Sequence, residues 1–197
     1  MARPSRWDDV VRSAAKVFRR RGFARASLEE IADDLGMWKG SLYNYISSKE
    51  DLLLAVVKVP ADRLLTEVRA IRDGGGEPAD QLRAVVRCHV DVLVDIYDFA
   101  AVYLYETAAT DLGDQWRTND REYTSMVQQI VEAGIASGAF RPDRDPRLMT
   151  MTLLGALNWL TRWWNPDGPL GPDAVADQIA DTVIAGIAVG SVAAARS

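Results

Sequence analysis

Five residues within one short stretch combine groups that could contact a charged, polar partner: Trp38, Lys39, Ser41, Tyr43 and Asn44. They offer a cation, two hydroxyl groups, an amide and aromatic edges, which are groups that bind the phosphates and base edges of nucleic acids. Lys49 follows at the predicted start of a further helix, where backbone N–H groups also favour a phosphate. The segment therefore predicts nucleic-acid binding rather than catalysis.

Two short helices joined by a glycine turn would position these groups. Ser27 and Glu30 have the spacing of a capping box, which predicts the start of a helix, and Gly36 predicts its end. A following helix over about residues 38–45 would turn Leu42 and Ile46 inward and leave the polar side chains outward. This is the helix-turn-helix pattern, whose second helix enters the major groove of DNA. The same pattern also fits an ordinary helical hairpin within a bundle.

The charge is unevenly distributed along the 197 residues. Residues 1–50 carry 10 basic and 7 acidic side chains, a net charge of +3, within a total of 23 basic and 28 acidic. Residues 51–197 therefore carry 13 basic and 21 acidic side chains, a net charge of −8. Because DNA binding needs only a local basic surface, the acidic total does not exclude it.

The rest of the chain predicts helices, since apolar residues recur at spacings of three and four. Pro60 is expected to kink or split the long fourth helix, and the glycine-rich segment 73–78 is expected to be a flexible break. The predicted helices outside the helix-turn-helix lie over about 6–21, 48–71, 79–97, 100–110, 115–137, 146–164 and 172–190.

Composition excludes several classes of site. With one cysteine, Cys88, and one histidine, His89, the chain cannot build a disulfide framework, a cysteine zinc cluster or a multi-histidine metal site. We expect these two to be a buried or half-buried pair with satisfied hydrogen bonds, and we expect no catalytic residue, no metal site and no cofactor. No apolar run reaches the ~18–20 residues that span a bilayer, and the N-terminus lacks a signal-peptide core. We therefore expect a cytoplasmic protein that does not contact membranes.

The stretch from Ser27 to Leu52, SLEEIADDLGMWKGSLYNYISSKEDL, strongly resembles the DNA-binding segment of TetR-family transcriptional regulators. Residues 14–18 and 21–23 resemble the first helix of that family, so the specific resemblance covers about residues 6–53. It implies an all-α fold: a three-helix DNA-binding domain over 1–50 and a helical effector-binding and dimerisation domain over 51–197.

The resemblance also implies roles for single residues. Ser27, Tyr43 and Lys49 match positions that contact phosphates, and Lys39, Ser41 and Asn44 lie in the recognition helix. Two residues depart from the family pattern. Trp38 replaces a small hydroxyl residue, which implies either an unusual base or sugar contact or a ring packed on its own helix. Ile46 replaces a phenylalanine, which is a tolerated packing change.

Three tryptophans and an arginine lie close together near the end of the chain, at Trp159, Arg162, Trp163 and Trp164. Residues 157–170 resemble the same region in TetR-family regulators of steroid and fatty-acid breakdown, some of which respond to acyl-CoA thioesters. Arg162 would then face an anionic group, and Asn158 would line the cavity. The alternative is a tryptophan-rich dimer core with Arg162 in an ion pair. The predicted ligand-binding residues are Tyr97, Tyr103, Met126, Asn158, Arg162 and Trp163.

Small residues in the last two predicted helices would permit close helix contacts, either across a dimer or within one subunit. They are Gly155, Ala156, Ala180, Ala185, Gly186 and Gly190.

The resemblance therefore implies a homodimeric repressor that a small hydrophobic or amphipathic effector, such as an acyl-CoA thioester, releases from a near-palindromic DNA operator. The alternative is an all-helical small-molecule-binding protein or enzyme whose N-terminal bundle does not bind DNA. The enzyme has little support, because the sequence contains no nucleophile elbow, metal-binding motif or dinucleotide fingerprint.

Overall fold

The computed structural model describes residues 6–95, 97 and 114–189, and its regular structure is helical. The helices are α1 (Arg6–Arg21), α2 (Leu28–Asp34), α3 (Lys39–Leu42), α4 (Lys49–Asp73), α5 (Pro78–Asp95), α6 (Asp114–Ala136), α7 (Pro146–Trp163) and α8 (Pro172–Ile187). The predicted all-α class is confirmed, while the helix predicted over 100–110 lies outside the described residues. None of the described helices combines the length and the apolar character that crossing a membrane requires.

The chain divides into two compact units. Of the described residues, 6–61 and Tyr97 belong to the first unit, and 62–95 together with 114–189 belong to the second. The change of unit falls within α4. The domain boundary predicted from the sequence, between residues 50 and 51, lies near the start of that helix.

Local sequence signals explain the start and end of the helices in the first unit. Gly22 ends α1 with a φ of 74°, and Gly36 follows α2 with a φ of 59°, a conformation that glycine adopts at little cost. The capping box forms as predicted. The Glu30 amide donates to Ser27 Oγ and the Ser27 amide donates to Glu30 Oε2, each at 3.2 Å.

The core of the first unit joins α1 to the helix-turn-helix. Val10, Ala14, Ile31 and Leu42 are fully buried. Buried Ser13 adds a polar connection, because its hydroxyl donates to Asp34 Oδ2 at 2.7 Å. These contacts fix α2 and α3 against α1, so the outward side of α3 has a defined position within this unit.

Pro60 lies inside α4 without splitting it. Proline removes one backbone donor from a helix, which weakens one turn. Apolar side chains before and after it are buried, among them Val56, Val57 and Val68, and their burial stabilises the helical path. Of the two expected effects of Pro60, the split is therefore wrong, and the kink stays a prediction.

The second unit is a helical bundle with an apolar interior. Ion pairs add to it on the outside: Arg87 pairs with Asp173 at 2.7 Å and with Asp177 at 2.6 Å, which connects α5 to α8. Further polar contacts connect the end of α4 to α6, where Arg72 donates to Gln129 at 3.1 Å. The buried apolar residues include Leu82, Val85, Val86, Met126, Ile130, Leu153, Leu157, Leu160, Val175 and Ala180.

The connection between α6 and α7 is tied to the end of α8. The Arg141 amide donates to the Ile187 carbonyl at 2.8 Å, and the Val189 amide donates to the Ala139 carbonyl at 3.2 Å. Asp145 then caps α7, because its carboxylate accepts from the Leu148 amide at 2.8 Å. These contacts fix where α7 begins beside α8.

Candidate nucleic-acid interface

The helix-turn-helix presents an apolar side inward and an aromatic, polar side outward. Leu42 and Ile46 are buried, as predicted, whereas Trp38 is 82% exposed and Tyr43 is 52% exposed. Asn44 is also exposed. Trp38, Tyr43 and Asn44, which were predicted to point outward, are therefore accessible to a partner of the first unit.

The regular part of the recognition helix is shorter than predicted. α3 covers only Lys39–Leu42, and residues 43–45 continue it as a turn, in which the Tyr45 amide donates to the Leu42 carbonyl at 2.8 Å. Trp38 is the N-cap residue, and its extended backbone has φ −76° and ψ 137°. Ser41 is half-buried. The exposed side chains thus follow one another around a single helical turn and its continuation.

Lys39 forms an ion pair with Glu29 of α2. The hydrogen bond from Lys39 is the main reason why the pKa of Glu29 lies below its usual value, and the same bond raises the pKa of Lys39. Both side chains keep their charges at neutral pH, and both are exposed to solvent. The lysine is therefore accessible to a phosphate, but a carboxylate competes for it.

Lys49 is directed at its own protein rather than outward. Its ammonium group donates to the carbonyl of Phe23 at 2.7 Å and to that of Ala26 at 3.0 Å. It also lies 4.4 Å from the centroid of the Phe23 ring. Lys49 thus attaches the start of α4 to the turn between α1 and α2, a role that the sequence did not indicate.

Ser27 combines two roles. Its half-buried hydroxyl oxygen accepts from the Glu30 amide, which completes the capping box. A hydroxyl group also carries a donor, so the same side chain can donate to a phosphate oxygen at the start of α2.

Two residues near this face were missed by the sequence analysis. Glu29 is one of them, because nothing in its spacing shows that it reaches Lys39. Tyr45 is the other: it is 39% exposed, and its ring stacks on Trp7 of α1 with centroids 6.4 Å apart. Tyr45 could have been identified from the sequence, because it is aromatic and lies only two positions after Tyr43.

The predicted ligand-binding residues differ in their burial and in the unit to which they belong. Met126 is buried on α6, whereas Tyr97 belongs to the first unit, where the Arg19 guanidinium lies 4.9 Å from the centroid of its ring. Asn158 and Arg162 are exposed on α7. Tyr103 lies outside the described residues.

The tryptophan cluster separates into two parts. Trp164 is buried and its indole donates to the Leu170 carbonyl at 2.8 Å, so it is a structural residue. Trp159 and Trp163 are 59% and 56% exposed, and Arg162 lies 6.0 Å from the centroid of the Trp159 ring. The two exposed tryptophans therefore lie on the surface of the second unit, and both predicted roles of the cluster stay predictions.

A buried polar pair lies inside the second unit. His89 Nδ1 is 2.9 Å from the hydroxyl oxygen of Tyr123, and burial lowers the pKa of His89 to about 4. Neighbouring Cys88 donates from its thiol to Glu67 at 3.1 Å, and burial raises the pKa of this thiol. His89 and Cys88 are both buried and hydrogen-bonded, as expected, and at neutral pH both are uncharged.

Two family models match the chain. Residues 10–56 match the model described as bacterial regulatory proteins, tetR family. Residues 75–187 match the model described as a tetracyclin repressor-like C-terminal domain. The two matches cover the helix-turn-helix and most of the second unit.

Curated relatives match over most of their length. The HTH-type transcriptional repressor KstR2 of Mycolicibacterium smegmatis is 30% identical, and the match covers 93% of this chain and 91% of the relative. The HTH-type transcriptional activator FasR of the same species is 34% identical, over 90% of this chain and 80% of the relative. These relatives are regulators, which agrees with the expectation that the chain is not an enzyme.

Solved structures share the fold. The ketosteroid transcriptional regulator KstR2 of Mycobacterium tuberculosis has a TM-score of 0.87 at 25% identity, over 95% of this chain and 97% of that chain. AibR in complex with isovaleryl coenzyme A and operator DNA has a TM-score of 0.81 at 25% identity, over 90% of this chain and 97% of that chain. The predicted architecture, with a DNA-binding end and a helical body, is confirmed.

Proposed function

Because the chain belongs to the TetR family of bacterial regulatory proteins, we propose that it is a homodimeric repressor that a small hydrophobic or amphipathic effector releases from its operator. The observation that carries the proposal is the exposed aromatic and polar face of residues 38–45. A regulator that binds bacterial chromosomal DNA acts in the cytoplasm, which is its proposed location.

DNA contacts divide by chemistry. Tyr43 and Ser27 offer hydroxyl donors for phosphate oxygens, and Lys39 offers a charge that attracts phosphates. Asn44 offers an amide, which can pair with the two hydrogen-bonding groups of an adenine edge. Two copies of this face, about 34–36 Å apart, would enter successive major grooves of a near-palindromic operator.

The proposed dimer face is the exposed side of α7, together with α8. Leu148, Thr152, Gly155, Trp159 and Trp163 follow one another at spacings of three and four residues, and all are exposed. Such spacing places them on one side of a helix. A continuous apolar stripe with two tryptophans is typical of an interface between subunits.

A groove on this face supports the proposal. It has a volume of about 310 Å³ and lies between the start of α7 and the end of α8, and its lining includes Leu148, Thr152 and Val183. Gly186 also lines it, and the absence of a side chain there allows close approach of a partner helix. Gly155, Ala185 and Gly186 are exposed and extend this surface, whereas Ala180 is buried within the unit.

The proposed effector is an acyl-CoA thioester or a similar amphipathic molecule. AibR, which shares the fold, is described in complex with isovaleryl coenzyme A, and KstR2 is described as a ketosteroid regulator. Neutral polar groups such as His89 and Tyr123 are compatible with a largely apolar ligand. To release DNA, the effector needs only to prefer one conformation by about 1–3 kcal/mol.

A mobility-shift titration tests the DNA-binding part. The probes are the DNA flanking the protein's own gene and a pool of randomised duplexes. The wild type should bind at least one duplex specifically, and a Tyr43→Ala/Asn44→Ala variant should bind it about tenfold to a hundredfold more weakly. Gln128→Ala, on the surface of α6, is the control. Specific binding that is unchanged in the double variant would contradict the assigned face.

A second titration tests the effector. Isovaleryl-CoA and longer acyl-CoA thioesters should raise the melting temperature and release the bound duplex, whereas free coenzyme A should do neither. If no thioester shifts either measurement, an acyl-CoA effector is excluded, and steroids are tested in the same way. If only steroids raise the melting temperature and release the duplex, the effector is still a hydrophobic or amphipathic molecule, but it is a steroid rather than an acyl-CoA thioester.

A further inference from the structure

Gly40 lies in α3 directly beside the indole of Trp38. A Cβ atom at position 40 would lie 2.8 Å from Cζ3 and 2.9 Å from Cε3 of this indole, whereas ordinary van der Waals contacts begin at 3.4 Å. Any other residue at position 40 would therefore displace the ring. The indole rests on the backbone of the recognition helix in a space that only glycine leaves open.

The backbone conformation does not account for this glycine. Gly36 has a left-handed φ, but Gly40 does not, so another residue could adopt its conformation. Glycine is also among the least favourable residues inside a helix. Room for the Trp38 indole is therefore the structural reason for a glycine at position 40.

The indole that Gly40 seats is unusually accessible. Trp38 is 82% exposed, and Tyr43 and Asn44 of the same short segment are exposed as well. The Cε3–Cζ3 edge of its six-membered ring faces Gly40, which leaves the other atoms of a large apolar surface available to a partner. Within the major groove, the apolar group that a base pair presents is the C5-methyl of thymine.

We propose that Gly40 seats Trp38 so that its indole covers the C5-methyl group of one thymine in each operator half-site. The proposal rests on the proposed function, since it requires that this face enters the major groove. It makes Trp38 the residue that determines the base preferred at that position and Gly40 the residue that positions it.

The test replaces thymines by deoxyuracil, which lacks the methyl group. The full-length wild type first selects a duplex from a randomised pool, and symmetry-related thymine pairs are then replaced one pair at a time. At one pair, the wild type should lose about fourfold in affinity per half-site, or about fifteenfold per dimer. Trp38→Ala should show no loss at this pair, and Gly40→Ala should show a clearly reduced loss.

The control for the second variant is Gly171→Ala, because a Cβ at position 171 meets nothing within 4 Å. This variant should keep the wild-type loss. Circular dichroism melting checks that each variant is folded, and Trp38→Ala tests the contact even where Gly40→Ala is unstable.

Three outcomes would overturn the proposal. A wild type that tolerates every deoxyuracil pair, or a Trp38→Ala variant that keeps the full loss, removes the thymine contact. A folded Gly40→Ala variant that behaves as the wild type removes the positioning role. If the wild type selects no duplex at all, the proposed regulatory function fails as well, which distinguishes that case from the others.

Discussion

Both units expose tryptophans, but with different neighbours. Trp38 of the first unit is next to Lys39 in the chain, and the exposed Tyr43 and Asn44 follow within six residues, so its neighbours in the segment offer hydrogen-bonding and charged groups. Trp159 and Trp163 of the second unit lie on a stripe with Leu148 and Gly155. An exposed tryptophan by itself indicates a binding surface, and the groups around it indicate which kind of partner is bound.

This comparison separates the proposed partners of the two surfaces. Phosphates and base edges require donors and positive charge, which the first surface has. A second protein subunit requires a continuous apolar area, which the second surface has at its centre, while charged residues such as Arg162 and Arg144 lie beside it. Replacing an exposed tryptophan by a charged residue should therefore impair DNA binding at the first surface and dimerisation at the second.

The largest expected effect comes from an aspartate in place of each exposed tryptophan. Trp159→Asp/Trp163→Asp should weaken dimerisation at least a thousandfold, because each copy contributes both residues and such positions are typical hot spots. Sedimentation equilibrium measures this. Trp38→Asp should leave the dimer intact and abolish operator binding by repulsion from the phosphates. If Trp38→Asp dissociated the dimer, the assignment of the two surfaces would be wrong.

The next effect is a pH dependence that belongs to the second unit. Burial lowers the pKa of His89 from an ordinary 6.5 to about 4. Between these values the unfolded chain binds a proton and the folded chain does not, so stability falls as pH falls from 6.5 towards 4. The loss should approach about 3 kcal/mol.

Chemical denaturation at several pH values checks this dependence, with His89→Gln as the comparison. The variant should have a flatter profile than the wild type over the same range. Ser13, which is buried in the first unit, does not titrate in this range. It should therefore add nothing to the slope of stability against pH. Equal slopes in wild type and variant would show that His89 is not the titrating group.

Much of the fold could be predicted because its signals are local. The apolar spacing of α1, the capping box at Ser27 and the glycines at 22 and 36 each act within a few residues, and the structure has all of them. The continuity of α4 through Pro60 could not be predicted, since it depends on the burial of side chains by the tertiary structure.

The candidate site was predictable only in part, because some of its contacts depend on the tertiary structure rather than on local signals. Which face of α3 is exposed follows from the inward positions of Leu42 and Ile46. The contact of Lys49 does not follow, because its acceptors are main-chain carbonyls of residues 23–26 and carry no side-chain signal. In the tryptophan cluster, the four-residue spacing of Trp159 and Trp163 indicates a shared face, and Trp164 lies beyond the last helical residue.

A smaller effect should come from Lys49→Met. The substitution keeps an unbranched side chain like the aliphatic part of lysine, but it removes the ammonium group that donates to carbonyls of the turn before α2. We expect a loss of about 1–2 kcal/mol in stability, together with weaker operator binding because α2 and α3 lose a fixed position. Lys16→Met, at an exposed position of α1, is the matched control. Weaker binding at unchanged stability would instead favour the phosphate contact predicted from the sequence.

The smallest effect should come from the pair between Glu29 and Lys39, and it sharpens the comparison because it changes charge within the first surface only. Glu29→Gln removes the carboxylate that competes for Lys39, so affinity for any duplex should rise a few-fold. Lys39→Gln should lower it. The slope of log affinity against log salt should become steeper in the first variant and shallower by about one per half-site in the second. Dimerisation should be unchanged in both, since the apolar stripe of α7 is intact. Equal salt slopes in both variants and the wild type would show that Lys39 stays paired with Glu29 when DNA binds.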